Sequence, residues 1–509
     1  MNTVSETTVA GTPRRWVKVL DQTSCIGCHA CTTACKSEND VPLGVTRTYV
    51  KSADVGTFPQ ARRAFQVTRC NQCADAPCVT ACPTSAMFTR PDGIVDFDKS
   101  VCIGCKACMA ACPYDAIFIN PDDGSAEKCN LCAHRIDVGL EPACVTVCPT
   151  QAILVGDPDD PTSRVAEVVN RQPVDVRRPE KGTRPQVFYQ GAHQATLDPL
   201  AARRPDGGLF AWSEQAGPVV SGAPEGTTSS AAALLSFDIG HSLPWGWRVS
   251  LYTWTKGLAA GIYLTALLLV LGGRLPDTSP LWLWAAPVGS GFFLALTGLL
   301  LIWDLKHPLR FHLLFTRPQW RSWLVRGAFV IVAFGLVLAV HFAAGFPGWR
   351  GLQRGLMVPG APLAALAAAY TGFLFAQAKA RDLWQSPLLP PHLVVQAFLA
   401  SAAALLPVAA WLQPDLTGTL AWILAGGALV HLLFVVGETS LPHGTAHAKL
   451  ATHNLVRGPQ APFFWAGVAG VAVGLAAPWI GLWAFPFALL GLLAHEHAYV
   501  TAGQSVPLA

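Results

Sequence analysis

The chain has 509 residues, a formal net charge of +4, 13% charged side chains and 51% hydrophobic ones. That length exceeds one ordinary domain, and so mild a charge argues against a nucleic-acid partner. The totals conceal a division. Residues 1–252 hold all 16 cysteines and a net charge of −3 (23 Lys/Arg against 26 Asp/Glu). Residues 253–509 hold no cysteine and a net charge of +7 (13 against 6). A soluble part followed by a membrane part is the first expectation.

The opening stretch MNTVSETTVAGTPRRWVKVL has no apolar run of signal length. The pair Arg14-Arg15 reads as a basic flank, because Trp16-Val17-Lys18 follows it where an export signal needs a long apolar stretch. Without a secretory signal, sixteen cysteines point to metal-bound thiolates and not to a disulfide scaffold.

The cysteines fall into four groups of four. The first is Cys25, Cys28, Cys31 and Cys35; the second is Cys70, Cys73, Cys78 and Cys82. The third is Cys102, Cys105, Cys108 and Cys112; the fourth is Cys129, Cys132, Cys144 and Cys148. Pro83, Pro113 and Pro149 follow the last cysteine of groups two to four, and Lys36 stands there in group one. Cys-x-x-Cys-x-x-Cys wraps a tight loop around one face of an iron–sulfur cubane, and the fourth cysteine ligates a second cluster. The expectation is that this fourth cysteine opens a short helix directed away from the first cluster. Paired groups then exchange fourth ligands, so four groups give four [4Fe–4S] clusters and about sixteen irons. Zinc also binds Cys-x-x-Cys pairs, but it does not require the third and fourth cysteines at this offset or the proline.

AMFTRPDGIVDFDKS follows group two and AIFINPDDGSAEK follows group three. Each reads as a short strand, a Pro-Asp turn with glycine, and a return strand. Cluster loop, short helix and hairpin, repeated, is a ferredoxin plan in which groups two and three form one unit and groups one and four a second. With the wide Cys132–Cys144 gap, the longer Cys73–Cys78 gap and KGTRPQVFYQG at 181–191, residues 14–200 resemble the four-cluster electron-transfer subunit of the dimethyl sulfoxide reductase, polysulfide reductase and formate dehydrogenase families. The resemblance implies four ligand sets: Cys25, Cys28, Cys31 with Cys148; Cys129, Cys132, Cys144 with Cys35; Cys70, Cys73, Cys78 with Cys112; and Cys102, Cys105, Cys108 with Cys82. In the family this order runs from the catalytic subunit to the membrane. Some relatives lack the second cysteine of group three and hold three irons there; Cys105 implies four.

Residues 201–235 are rich in Gly, Ala, Pro and Ser, including GAPEGTTSSAAA, and read as a flexible connection. Eight apolar runs long enough to cross a bilayer follow, at roughly 253–273, 281–303, 324–345, 356–377, 391–412, 418–437, 462–479 and 481–500. The last two are divided only at Pro478 to Gly481. Trp245, Trp247, Trp254, Trp282, Trp284, Trp303, Trp320 and Trp323 crowd the ends as an interfacial belt does. An even number of spans returns the C-terminus to the side of the cysteine-rich part. Loops 304–323, 378–390 and 438–461 on that side carry Lys306, Arg310, Arg317, Arg321, Lys379, Arg381, Lys449 and Arg457, against Arg274, Arg350 and Arg354 opposite. The positive-inside rule places the cluster domain in the cytoplasm; an exoplasmic placement would require export by a partner.

GWRVSLYTWTKGLAAGIYL at 246–264 and DLKHPLRFHLLFTRPQWRSW at 304–323 resemble the polysulfide reductase membrane subunit of NrfD type. That resemblance implies eight spans, no haem, and a quinone bound near the cluster side. A bis-histidine haem needs two histidines at matching depth, and His341 and His431 do not match in depth. Ionisable groups in a bilayer mark a site or pathway; on the cluster side these are His241, Arg248, Lys256, Asp304, Arg326, Tyr370, Glu438, His495 and Glu496. The resemblance implies a pocket among the first four helices with a tyrosine in the fourth, which Tyr370 matches by position. His241 and Lys256 match the polar start of the first helix approximately, and Asp304 lies in the family's loop motif. Asp304 also invites an ion pair with Lys306 or Arg310, Tyr370 a plain interfacial role, and Glu438 a snorkelling one.

The expected architecture is therefore a tandem ferredoxin-like α+β [4Fe–4S] domain (1–200), a linker (201–245), and an all-α polytopic bundle of about eight transmembrane helices (246–509). It is the plan of an electron-transfer and anchor subunit passing electrons between a catalytic partner and membrane menaquinone or ubiquinone. The resemblance favours a molybdenum or tungsten bis-pterin partner. A hydrogenase large subunit is the alternative partner, and an anchor or ion-translocating module without its own quinone site the alternative role.

Overall fold

The computed structural model describes residues 15–203 and 233–509. Arg14, and residues 204–232 of the expected linker, lie outside the described residues. The chain divides into two compact units, residues 1–242 with 507–509, and residues 243–506.

The first unit begins with β1 (Val17–Asp21), α1 (Ala30–Glu38), β2 (Thr48–Val55) and β3 (Arg62–Arg69), followed by α2 (Pro77–Ala81), β4 (Met87–Thr89) and β5 (Val95–Phe97). It continues with α3 (Ala107–Ala111), β6 (Ile117–Ile119), β7 (Ala126–Lys128), α4 (Ala133–Ile136), α5 (Ala143–Thr146) and β8 (Ile153–Gly156). Last come α6 (Arg164–Arg171), β9 (Val174–Asp175), β10 (Val187–Gln190), α7 (Gln194–Leu197) and β11 (Leu234–Phe237). Both expected hairpins form: β4 pairs antiparallel with β5, and β6 with β7.

Two larger sheets frame these hairpins. One has the order β8-β1-β10-β9, with β1 and β10 parallel, so the stretch before the first cysteine group pairs with the KGTRPQVFYQG segment. The other has the order β11-β2-β3. Strand β11 begins in the stretch expected to be linker; buried Leu234 and Leu235, followed by half-buried Ser236 and Phe237, let it lie along β2.

The helices correct one expectation. The third cysteine of a group, not the fourth, sits in the opening turn: Cys31 in α1, Cys78 in α2, Cys108 in α3. Cys82 and Cys112 are the residues that end α2 and α3. Left-handed backbone at Gly27 and His29, and again at Gly104 and Lys106, turns the Cys-x-x-Cys loop into the helix start. Glycine reaches that conformation without strain, which fits its recurrence between the first two cysteines of groups one and three.

The second unit is helical: α8 (Trp247–Leu271), α9 (Ala286–Trp303, extended back to Leu281 by a π-helical turn), α10 (Leu313–Thr316), α11 (Trp323–Gly345), α12 (Arg350–Gly355) and α13 (Met357–Gln377). It closes with α14 (Leu389–Leu412), α15 (Thr417–Ser440), α16 (Ala446–Val456), α17 (Ala461–Leu475), α18 (Ala477–Ile480) and α19 (Ala484–Ala502). Seven of its helical segments are long and apolar enough to cross a membrane. The eighth, α17, is a shorter apolar helix of 15 residues. The first spanning helix begins at Trp247, six residues before the apolar run at 253, because Val249, Ser250 and Tyr252 are buried against the bundle despite their mixed polarity.

Helix α8 packs against α9, α13, α14 and α19. At Gly261 a Cβ would fall 2.0 Å from the carbonyl oxygen of Ala397 on α14, so only glycine permits this approach. Gly491 of α19 plays the same part against Gly470 of α17, where a Cβ would lie 2.8 Å from the Gly470 Cα. Alanine and leucine fill the core between them. The outside carries exposed Leu268, Phe292, Leu299, Leu336, Trp411 and Trp422. Water-soluble surfaces do not carry so many large apolar side chains; lipid accepts them. The protein is a multi-pass integral membrane protein.

Candidate functional site

The cysteines of the first unit are brought together in a pattern that the order of groups in the chain does not display. Cys82 lies among Cys102, Cys105 and Cys108, each burdening the others' thiolate electrostatically. Cys112 lies with Cys70, Cys73 and Cys78. Cys35 is surrounded by Cys129, Cys132 and Cys144, and Cys148 joins Cys25, Cys28 and Cys31. Each group thus places its last thiol with another group's first three. Electrostatic interactions also link the tetrads, between Cys31 and Cys144, Cys70 and Cys129, and Cys78 and Cys108, so the four follow one another in series.

The surroundings disfavour a free thiolate and so call for a bound cation. Burial, with repulsion from neighbouring thiols, pushes Cys35, Cys73 and Cys112 up to about 12. Thiols crowded this way ionise at neutral pH only when a cation binds them. Backbone amides are already aimed at sulfur: Met87 N–H donates to Cys82 Sγ (3.4 Å), Ala126 to Cys102 (3.5 Å) and Ala152 to Cys148 (3.3 Å). Small cavities open beside the first and last tetrads, one lined by Cys25, Cys28, Cys31 and Cys148, the other by Cys82, Cys102, Cys105 and Cys108. Four thiol donors around each fit an iron–sulfur cubane.

Sequence reasoning missed the cations that serve one tetrad. Lys18 of β1 and Arg69 of β3 are fully buried, and both point at Cys144: Lys18 Nζ lies 3.5 Å and an Arg69 guanidinium nitrogen 3.2 Å from its sulfur. Burial alone would raise this thiol, yet the two cations bring it down to about 7. Asn39 adds amide contacts to Cys35 Sγ (3.7 Å) and Cys132 Sγ (3.6 Å). A charged residue interrupting the apolar β1 and another directly before Cys70 were the available signals.

The four residues expected at the quinone end separate between units. His241 belongs to the first unit, where Nδ1 lies 2.5 Å from Asp115 and Nε2 3.2 Å from Asp238. Burial would lower its pKa, but the two carboxylates lift it to about 9.

Tyr370, Lys256 and Asp304 belong to the helical unit. Lys256 of α8 is buried; its ammonium sits 4.6 Å over the centre of the Tyr370 ring and donates to the Ala368 carbonyl at 2.7 Å. Tyr370 of α13 is buried, and its ring occupies space left by Gly327 of α11, where a Cβ would come within 2.3 Å. Glu496 of α19 is buried and shares this environment, interacting electrostatically with Lys256. Tyr252, which was not singled out from the sequence, is buried beside them and feels both Tyr370 and Asp304. Asp304 ends α9 and lies 3.9 Å from Arg248, whose guanidinium covers the Trp303 ring at 4.6 Å. Tyr252, Lys256, Tyr370 and Glu496, from three helices, thus form one buried set of proton-bearing groups, with half-buried Asp304 interacting through Tyr252. Glu438, half-buried, lies near Tyr499 of α19.

His341 and His431, the two histidines weighed as haem ligands, take different neighbours. His341 packs on Trp282 and Tyr263. His431 meets His392 and His495.

Comparison with known proteins bears on both units. Residues 62–158 match the family described as 4Fe-4S dicluster domain, and residues 237–486 match polysulphide reductase, NrfD. The first unit is similar to the B subunit of tetrathionate reductase from Salmonella typhimurium (44% identical, covering 38% of this chain and 79% of that protein). It is also similar to the B component of polysulfide reductase from Wolinella succinogenes (40%, covering 34% and 93%). A third relative is the iron–sulfur subunit of an assigned dimethyl sulfoxide reductase from Halobacterium salinarum (37%, covering 36% and 82%). The chain thus belongs to this family of reductase iron–sulfur subunits, and carries an NrfD-type membrane domain on the same polypeptide.

Proposed function

We propose that the chain conducts electrons between a separate catalytic subunit and quinone in the membrane, through four [4Fe–4S] clusters. The observation that carries this reading is the series of four thiol tetrads, each assembled from two cysteine groups. Its ligand sets are Cys25, Cys28, Cys31, Cys148; Cys35, Cys129, Cys132, Cys144; Cys70, Cys73, Cys78, Cys112; and Cys82, Cys102, Cys105, Cys108. Bound clusters would supply one-electron transfer along that series. The protein's own part is to hold sulfur, exclude water and set the local charge, as Lys18 and Arg69 do at Cys144.

In the helical unit, Tyr370, Lys256, Asp304 and Glu496 form the quinone-reactive pocket. A quinone needs hydrogen-bond donors at its two carbonyl oxygens and protons to accompany the electrons. Tyr370 and Lys256 are the donors nearest one another, and Glu496 and Asp304 are the carboxylates that resupply them. His241, held by Asp115 and Asp238, contributes a cation on the first unit. The partner is a molybdenum- or tungsten-pterin reductase, a reading supported by relatives that belong to tetrathionate, polysulfide and dimethyl sulfoxide reductases. The cluster unit faces the cytoplasm, in line with the Lys/Arg bias of the loops.

The test is anaerobic purification in detergent with whatever subunit travels with the chain. Iron and acid-labile sulfide should each approach about sixteen per chain, and reductive titration should resolve four one-electron centres. Zinc in place of iron, or turnover with quinol that does not respond to Tyr370→Phe with Asp304→Asn, would overturn the cluster and pocket assignments respectively.

A further inference from the structure

Three histidines outside the proposed pocket converge inside the helical unit. His392 lies in the first turn of α14, His431 past the middle of α15, and His495 in the interior of α19. Their exposures are 4%, 0% and 2%. One ring nitrogen from each lies within 4.8 Å of the other two. His392 Nε2 and His431 Nδ1 are 2.9 Å apart. The rings of His431 and His495 meet at 4.7 Å between centroids with planes at 83°. Around them stand aromatic side chains: Phe434 stacks on His392, and Phe464 and Tyr499 flank His495.

Ordinary core packing accounts for one imidazole buried with its nitrogens bonded. It does not account for three meeting ring to ring. His431 Nε2 and His495 Nδ1 have no hydrogen-bond partner, a destabilising arrangement that leucine or phenylalanine would avoid. An ion that takes one nitrogen from each ring gives the three imidazoles a common partner and eases that cost.

We infer that His392, His431 and His495 form a three-imidazole site for a zinc or copper ion. Imidazole is the ligand these metals share. Bonds of roughly 2.0–2.1 Å in tetrahedral geometry set ligand nitrogens about 3.3 Å apart. The His392–His431 pair is already near that spacing, and the widest separation closes by about 1.5 Å, within the reach of side-chain rotation. The triad itself contains no carboxylate and no thiolate, so calcium, magnesium and iron–sulfur chemistry do not suit it. Three protein ligands leave a fourth position for water or another donor. Drawn from three helices, the site ties α15 to α14 and α19.

The test uses the full-length, cluster-loaded protein in detergent, exposed to Zn2+ alone or, in a parallel sample, Cu2+ alone, then freed of excess metal. The expected result is about one ion per chain with an X-ray absorption signature of imidazole nitrogen and no sulfur. Binding should weaken at least about tenfold in His431→Gln and in His495→Gln, with iron content unchanged. A wild-type protein that retains neither ion, that binds only through sulfur, or whose binding both variants leave intact overturns the inference. An imidazole proton relay without metal would give the first of those outcomes. The wild-type spectrum decides the matter even where a variant fails to assemble.

Discussion

The two units hold buried polar groups by opposite means. In the cysteine-rich unit the buried charges are numerous and directed at sulfur, as with Lys18 and Arg69 at Cys144, or paired with carboxylates, as with Arg47 and Glu127 at 2.9 Å. In the helical unit they are few, and they rely on partners from other helices: Lys256 on the Ala368 carbonyl, Glu496 beside Lys256. The contrast follows from what each unit has to hold. Sixteen thiols need compensating charge wherever they ionise. A bundle in lipid tolerates only those ionisable groups that it uses. Disturbing the first unit should therefore alter cofactor content and potential, and disturbing the second should alter turnover with the clusters intact.

The largest effect should come from a tetrad. Cys108→Ala removes a buried thiol from the set with Cys82, Cys102 and Cys105, and should lower bound iron by about four per chain or more, read by iron and sulfide analysis. Full iron content in that variant would break the assignment of ligands.

Next is the intramembrane cluster. Lys256→Met or Tyr370→Phe should reduce quinol-linked turnover about 10²-fold, the usual weight of one positioned proton donor. Iron content, and electron transfer between the partner and a soluble dye, should stay unchanged. Equal loss with quinol and dye would merge the two units' roles and end the comparison.

His241 gives a pH signature to the first unit. Its folded pKa of about 9 stands above the ordinary 6.5. Protonated His241 thus stabilises the fold fully below about pH 6.5, and the stabilisation is lost as pH rises through about 9. Unfolding midpoints of wild type should fall across that window, and those of His241→Asn should fall less. Identical slopes would refute the pairing with Asp115 and Asp238.

The smallest effect is expected from Lys18→Met, which keeps volume and removes one cation beside Cys144. The midpoint of one cluster should move negative by several tens of millivolts, on the order of 100 mV at most for a charge at this range. The other three centres should hold still in the same titration.

Much of the first unit was legible because its chemistry is written locally. Cysteine spacing, the proline after it and the two hairpins recur within short windows, and a loop that grips a cluster needs only those few residues. The α8 to α19 spans were legible for a similar reason: a helix satisfies its own backbone in lipid, so apolar length alone announces it. Helix phase inside a cysteine group was misjudged, since the left-handed turns at His29 and Lys106 depend on backbone freedom that spacing does not record.

By itself, then, the sequence determined that thiolate clusters and a lipid-embedded bundle share one polypeptide, because both rest on interactions a few residues long. Only the tertiary structure decided that Lys18 and Arg69 serve Cys144, that Glu496 and Tyr252 join Tyr370 and Lys256, and that His392, His431 and His495 meet. Those groups lie tens to hundreds of positions apart, and their pairing depends on which helix and strand faces pack together. No local pattern encodes that.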